Sequence, residues 1–278
     1  MELAHQGNEV LMISPGEWGT LRIKPYSKSW PTVDTNPPII SNFELKTCRH
    51  MGDGLYNYKL LGAGQMVEEF QPDWLYVQAE PGSLQALDAL EWGGVKKRAL
   101  FTWENISIKM SGAEALKRYD LVVCGNPEAE ALVKPCNPHT ALLLQVGVDT
   151  DHFQARPGVP RDITVAYIGR PAPEKGFQYL LQAWPTAQIL DWKDFRELPW
   201  WYSQVQVVVA YSQDMMPHWK EQAPNYVLLE AMSTGCRGIA SDTAAMAYWL
   251  NGAPGVIHVP QGKFTELKDG IEKVLAMP

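Results

Sequence analysis

Two carboxylates stand at the ends of one short segment, Glu221-Gln-Ala-Pro-Asn-Tyr-Val-Leu-Leu-Glu-Ala-Met-Ser-Thr-Gly235. Glu221 opens a loop, Pro224-Asn225 turns it, an apolar run follows, and Glu230 lies on a helix that stops at Gly235. Amides at a helix start take phosphate oxygens, and carboxylates take hydroxyls. The segment therefore suits a ligand carrying both, as a nucleotide sugar does. Taken alone it also reads as a surface loop before an ordinary amphipathic helix. A second candidate, Gly169-Arg-Pro-Ala-Pro-Glu-Lys-Gly176, sits where a strand turns into a helix. There Arg170 can fork onto phosphate oxygens and Lys175 adds a movable charge, beside the amides of the helix start. The plain alternative is a strand-to-helix turn with a solvated Arg–Glu–Lys group. The turn lacks the GxxxxGK[ST] of a phosphate-binding Walker loop and the GxGxxG of a dinucleotide fold.

Other chemistries are poorly supplied. Six histidines are scattered without an HExxH or His-x-His arrangement, so no metal site is expected. Cys48, Cys124, Cys136 and Cys236 follow neither a zinc spacing nor a disulfide ladder, which points to reduced thiols and a cytoplasmic protein. The net charge of −7 and pI near 5.4 count against an extended nucleic-acid surface. No signal region opens the chain, and no apolar run approaches the roughly 18 residues of a membrane span. Eleven tryptophans are many for 278 residues; most are expected in the core, and some could line a sugar or aromatic acceptor pocket.

Positioning these groups falls to alternating strands and helices. The first half predicts a strand at Glu9–Ser14, a Pro-, Ser- and Thr-rich stretch over 15–50 with a short strand near Pro38–Phe43, and a helix over Leu55–Phe70. Strands at Trp74–Gln78, Arg98–Trp103, Leu121–Cys124 and Ala141–Val146 alternate with helices at Ser83–Trp92, Ala113–Tyr119 and from Asn126-Pro127 to Lys134. After the Pro- and Gly-rich stretch Gln154–Pro160, strands at Ile163–Ile168, Ala187–Leu190, Val205–Tyr211, Arg237–Ser241 and Val256–Val259 alternate with helices. Those helices are predicted at Glu174–Trp184, Pro199–Gln204, Val227–Ser233, Thr243–Leu250 and Phe264–Met277. Such alternation indicates an α/β protein with two mostly parallel sheets, residues 1–156 and 157–278, and a ligand cleft at the strands' carboxyl ends.

Three segments in order, Gly147-Val-Asp-Thr-Asp-His-Phe153, Gly169…Gly176 and Glu221…Gly235, resemble glycosyltransferase family 4. The likeness runs from about Leu121 to the C-terminus and is fainter in Gln71-Pro-Asp-Trp74, Glu80-Pro-Gly-Ser83 and Phe101-Thr-Trp-Glu-Asn105. It implies a GT-B fold, two Rossmann-like domains facing across a cleft, and retaining transfer from a UDP- or GDP-sugar to a hydroxyl acceptor. It further implies that Arg170 and Lys175, next to Gly169, hold the donor diphosphate where other glycosyltransferases use a metal. No cofactor is then needed. Glu230 would accept both ribose hydroxyls, and the amides of Tyr226, Val227 and Leu228 would face the distal phosphate. Glu221 would contact the sugar hydroxyls, and Asp191-Trp192 would approach the nucleobase, with plain surface exposure the alternative for Asp191. Glu104 and Asn105 could orient the acceptor, or Glu104 could simply close a strand-end turn.

The chain also departs from that pattern. Eight residues separate Glu221 from Glu230 where the family has seven, so either the loop bulges at Asn225-Tyr226 or Gln222 takes the sugar-facing place. The family's first strand and glycine-rich loop would precede the helix at Met1, and Glu9–Ser14 is expected to take that strand's central place. A strand and a helix between Trp184 and Trp200, and the terminal crossover helix, are expected to be missing. Besides a lipid-linked, polysaccharide or small-aglycone acceptor, three alternatives stay open. They are transfer to a modified nucleic-acid base, a non-catalytic nucleotide-sugar-binding module, and a sugar-nucleotide epimerase.

Overall fold

The structure, a computed structural model, describes residues 2–15, 42–52, 58–191 and 193–277. Its contacts divide the chain into two compact units, Met1–Cys124 with Glu130–Ala141 and Gly125–Ala129 with Leu142–Pro278. The division thus falls ahead of Gln154–Pro160. That stretch hangs on the second unit, where the Arg156 amide donates to Ser203 Oγ at 2.8 Å.

The first unit runs α1 (Glu2–His5), β1 (Val10–Pro15), β2 (Phe43–Cys48), β3 (His50–Gly52), β4 (Tyr58–Leu60), α2 (Ala63–Phe70), β5 (Trp74–Gln78), α3 (Leu84–Ala89) and β6 (Lys97–Thr102). It continues through α4 (Met110–Leu116), β7 (Leu121–Cys124), α5 (Pro127–Val133, its first residues counted with the second unit) and β8 (Thr140–Leu142). Strands β5-β6-β7-β8 form one sheet, with β6 parallel to both β5 and β7. Leu100 and Val122 at its centre are fully buried, as strands covered on both faces require.

Three expectations are corrected here. Strand β1 does not take a central place in that sheet. It pairs in parallel with β2 in a two-stranded sheet, Val10 opposite Phe43 through Pro15 opposite Cys48. Apart from Pro15 its residues are at most partly buried, and Met12 is half exposed, which suits a peripheral pair rather than a doubly covered centre. The helix expected from Leu55 begins at Ala63, because β4 pairs antiparallel with β3 and Gly62 follows at a φ of 83°. The strand expected over Ala141–Val146 is the short β8. The strand near Pro38–Phe43 lies almost wholly outside the described residues.

The second unit runs β9 (Ile163–Ile168), a 3₁₀ turn (Pro173–Lys175), α6 (Phe177–Ala183), β10 (Gln188–Leu190), α7 (Leu198–Ser203) and β11 (Val205–Ala210). Then follow α8 (Tyr226–Ser233), β12 (Arg237–Ser241), α9 (Ala244–Leu250), β13 (Val256–Val259) and α10 (Phe264–Leu275). All five strands are parallel in the order β10-β9-β11-β12-β13. The direction of winding reverses between β9 and β11, and the carboxyl ends of strands flanking such a reversal form a crevice where ligands bind. One face is covered by α6 and α10. Leu267, Ile271 and Val274, at helical spacing, pack with Leu180, Val207 and Ile239. The other face is covered by α7 and α8, through Tyr202 and Ala231 on Ala166 and Val208. No described helix is long and apolar enough to cross a membrane.

Candidate functional site

Gly176 fixes the first half of the site. The expected helix over Glu174–Trp184 is broken there into the 3₁₀ turn and α6, with Gly176 at a φ of 68°. A Cβ on Gly176 would lie 2.0 Å from the Tyr211 carbonyl oxygen, so the turn rests directly on the end of β11. The Gln213 amide donates to the Glu174 carbonyl at 2.8 Å and closes the same contact. This seating carries Lys175 across to Glu221. Lys175 Nζ lies 2.8 Å from Glu221 Oε2 and 4.8 Å from the centre of the Trp219 ring. The buried Ser212 hydroxyl donates to the same carboxylate oxygen, and the Glu221 amide donates to Asp214 Oδ1 at 3.1 Å. Burial raises the Asp214 carboxyl above its ordinary range, although the Glu221 amide, Lys220 and Gln261 act the other way.

Arg170 joins this group from the β9 side. Its guanidinium binds Glu174 Oε1 at 2.7 Å. Burial alone would raise the Glu174 carboxyl, but its own amide, Arg170 and Lys175 outweigh that and hold it low. Tyr167 donates its hydroxyl to the Arg170 carbonyl. Burial raises its pKa to about 12, with the Arg170 charge opposing the rise and the charges of Glu174, Asp191 and Glu221 adding to it. Exposed Asp191 follows β10 at the same end of the sheet; Trp192 lies outside the described residues.

The helix-terminal amides are arranged differently from the expectation. Asn225 caps α8, with its Oδ1 accepting from the Val227 amide at 3.0 Å and its carbonyl from the Leu228 amide at 3.0 Å. Two of the three amides expected to face phosphate are thus engaged by Asn225. Its backbone is extended, with φ −66° and ψ 122°, so the extra residue between Glu221 and Glu230 is not taken up by a left-handed turn at Asn225. Leu228 is wholly buried, and Val227 Cγ2 packs near Gly169. Tyr226 is half exposed. The Gln222 carbonyl accepts from Asn126 Nδ2 at 3.0 Å, while its neighbour Glu221 carries the carboxylate that meets Lys175.

Glu230 forms a separate polar centre. Tyr202 donates its hydroxyl to Glu230 Oε2 at 2.6 Å, from within the α7–α8 core. Burial raises the Glu230 carboxyl above its ordinary value, and the Tyr202 hydroxyl and His152 offset this only in part. A carboxyl with a raised folded pKa holds its proton more tightly when folded. Its stabilising effect is complete below the ordinary value of 4.5 and is lost as pH rises through the raised value. Unliganded protein should therefore lose stability over that window, and Glu230→Gln should flatten the loss. Urea midpoints from acid to neutral pH test this; identical slopes for both proteins would exonerate Glu230.

Glu104 and Asn105 belong to the first unit, beyond β6. Glu104 Oε1 accepts from the amides of Ile106 at 2.9 Å and Ser107 at 3.2 Å, closing a turn, and Asn105 is buried. Ser212, Trp219, Glu174 and Tyr202 escape the sequence reading as site residues. Ser212 was within reach, because it follows the end of a parallel strand where such sheets bind ligands. Among the described residues, no group of three or more His, Cys, Asp or Glu is placed to hold a metal ion.

Solved structures share this architecture. The chain is similar to HepE of Anabaena in complex with UDP, at 13% identity and a TM-score of 0.62, over 82% of this chain and 76% of that one. It is similar to sucrose-phosphate synthase from Thermosynechococcus elongatus at 15% identity and a TM-score of 0.64, over 99% and 81%. A glycosyltransferase from Rickettsia africae matches at 14% identity and 0.61, over 77% and 69%. No protein-family model matches the chain, and no curated protein does. At these identities the likeness shows the fold, which is the GT-B fold of glycosyltransferases built from Rossmann-like units.

Proposed function

We propose that the chain is a retaining glycosyltransferase of the hexosyl type. It would move a sugar from a nucleotide-diphosphate sugar to a hydroxyl acceptor without a metal ion. The observation that carries this reading is the ion pair of Lys175 and Glu221, set with Ser212, Trp219 and Arg170 at the carboxyl ends of β9 and β11. In the transfer, the bond from the anomeric carbon to the diphosphate breaks and the acceptor oxygen bonds to that carbon on the same face. The acceptor proton passes to the departing phosphate oxygen. Arg170 and Lys175 stabilise the charge that grows on that oxygen. Glu221 holds sugar hydroxyls as positive charge develops at the anomeric carbon. A carboxylate rather than Gln222 on Lys175 favours an enzyme over a binding module.

The fold of UDP-bound HepE makes UDP-sugars the first donors to try, with GDP- and ADP-sugars beside them. A true donor at about 100 times its dissociation constant should add roughly 2.7 kcal/mol of stability in a thermal-shift panel. Calorimetry in excess EDTA then tests the cations. Lys175→Ala should weaken the nucleoside diphosphate by about 1.5–3 kcal/mol, the worth of a charge-assisted contact, and the free nucleoside hardly at all. Equal weakening of both ligands, or wild-type binding that needs a divalent ion, would end the assignment.

A further inference from the structure

We propose that His152 is a second ribose-binding residue. It takes one hydroxyl of the nucleotide's vicinal diol while Glu230 takes the other, and together they confine the donor to ribonucleotides. The proposal rests on the glycosyltransferase reading and adds to it a residue that selects the pentose of the nucleotide.

Helix α8 lays out the path. Val227, Glu230 and Ser233 are three residues apart and share one face, each about 4.5 Å further along the axis. At one end Val227 Cγ2 packs near Gly169, beside the cations proposed to hold the diphosphate. At the other end the Ser233 hydroxyl donates to the Phe153 carbonyl at 2.7 Å. The turn that carries His152 therefore lies against the same face, next after Glu230. In a nucleoside diphosphate the ribose diol likewise comes after the phosphates.

The turn is firmly tied. Asp149 Oδ1 accepts from the Asp151 and His152 amides at 3.0 and 3.1 Å, and the Phe153 amide donates to the Asp149 carbonyl at 2.8 Å. The His152 ring is stacked on Phe195, with centroids 4.6 Å apart and planes 9° from parallel. His152 Nε2 lies 3.0 Å from the Phe195 carbonyl oxygen. A carbonyl only accepts, so Nε2 carries the proton, and in the neutral ring Nδ1 is left as an acceptor. That nitrogen makes no hydrogen bond among the described residues.

Glu230 is in a matching state. Its Oε2 takes the Tyr202 hydroxyl at 2.6 Å, and its Oε1 has no donor among the described residues. Burial raises this carboxyl, and the Tyr202 hydroxyl and the nearby His152 charge oppose the rise. With Tyr202 on one of its oxygens, Glu230 is better suited to one hydroxyl than to two. Two acceptors with no donor beside them select a ligand that offers two donors. A ribose diol does so. A dianionic 2′-phosphate only accepts, and a deoxyribose leaves one acceptor empty.

Calorimetry first compares UDP, GDP and ADP, and the tightest is then measured as its 2′-deoxy and 3′-deoxy forms. Removing either hydroxyl should weaken binding to the wild type by about tenfold, the scale of a hydrogen bond whose acceptor is left unpaired. Two variants lack the Nδ1 acceptor. His152→Phe keeps a ring stacked on Phe195, and His152→Gln keeps a donor within reach of the Phe195 carbonyl. In both, removing one of the two hydroxyls should now cost about twofold at most, while removing the one held by Glu230 should still cost about tenfold. Tenfold discrimination at both hydroxyls in either variant, or a wild type that binds the deoxy forms as well as the parent nucleotide, would overturn the proposal alone. A wild type that binds none of the three nucleotides would overturn the glycosyltransferase reading and the proposal with it.

Discussion

Glu221→Gln is expected to lower turnover by about a hundredfold or more, the scale seen when one preorganised electrostatic contact to a transition state is removed. Nucleoside diphosphate affinity should not fall. The reason lies in the two parts that the proposed reading gives Glu221, one before and one during the transfer. Without donor, its carboxylate holds Lys175 and takes the Ser212 hydroxyl. A diphosphate must compete for Lys175, so an amide at 221 relieves that competition and leaves the anion bound at least as well. In the proposed transfer, positive charge would appear at the anomeric carbon, and a full carboxylate beside the sugar would stabilise it more than an amide can. Ground-state binding and turnover should thus separate, with KM for donor steady or lower while kcat collapses. Initial rates of donor consumption with the donor that the thermal-shift panel selects, paired with calorimetry of the diphosphate, check both arms. Full turnover in the variant would move the sugar-facing role to Gln222.

The sequence made the second unit more legible than the first, for a physical reason. Strands β9 and β11 are covered on both faces, so Ile163–Ile168 and Val205–Ala210 are mostly apolar runs, broken only by Thr164 and Gln206. In the first unit β3 and β4 are three residues each, too short to show a period, and Tyr58–Leu60 was absorbed into a helical pattern. Strand β1 was recognisable as a strand but not by its partner, because β2 begins 33 residues beyond Val10 and pairing is a tertiary choice. The site divides in the same way. Arg170, Lys175, Glu221 and Glu230 stood out by type and spacing. That Lys175 would meet Glu221, 46 residues away, and Glu230 would meet Tyr202 instead, depends on how α7 and the 3₁₀ turn dock on the sheet. Asn225 illustrates the limit from the other side. Asparagine suits both a loop bulge and a helix N-cap, and the structure uses Asn225 as an extended N-cap.

Gly176→Ala should cost about 3 kcal/mol or more, the range reached when backbone strain and a core clash act together. Two separable effects contribute. The φ of 68° is strained for any residue with a Cβ, which accounts for about 1–2 kcal/mol. The rest comes from space, since the new Cβ would stand 2.0 Å from the Tyr211 carbonyl oxygen. That oxygen belongs to backbone at the end of β11, so it cannot swing aside as a side chain would. Either the 3₁₀ turn lifts away or the strand end shifts. Gly252→Ala supplies the comparison, because Gly252 has a φ of 73° and nothing within 4 Å of its Cβ position. It should show the backbone strain alone. For a chain of this size each kcal/mol lowers the melting temperature by roughly 2–4 °C, so the two variants should differ clearly in a thermal scan. Lifting the turn also draws Lys175 away from Glu221, and the surviving Gly176→Ala protein should bind diphosphate as poorly as Lys175→Ala. Equal melting shifts for the two glycine variants would mean that the turn does not rest on Tyr211. Normal diphosphate affinity in Gly176→Ala would mean that Lys175 reaches its ligand without that seating.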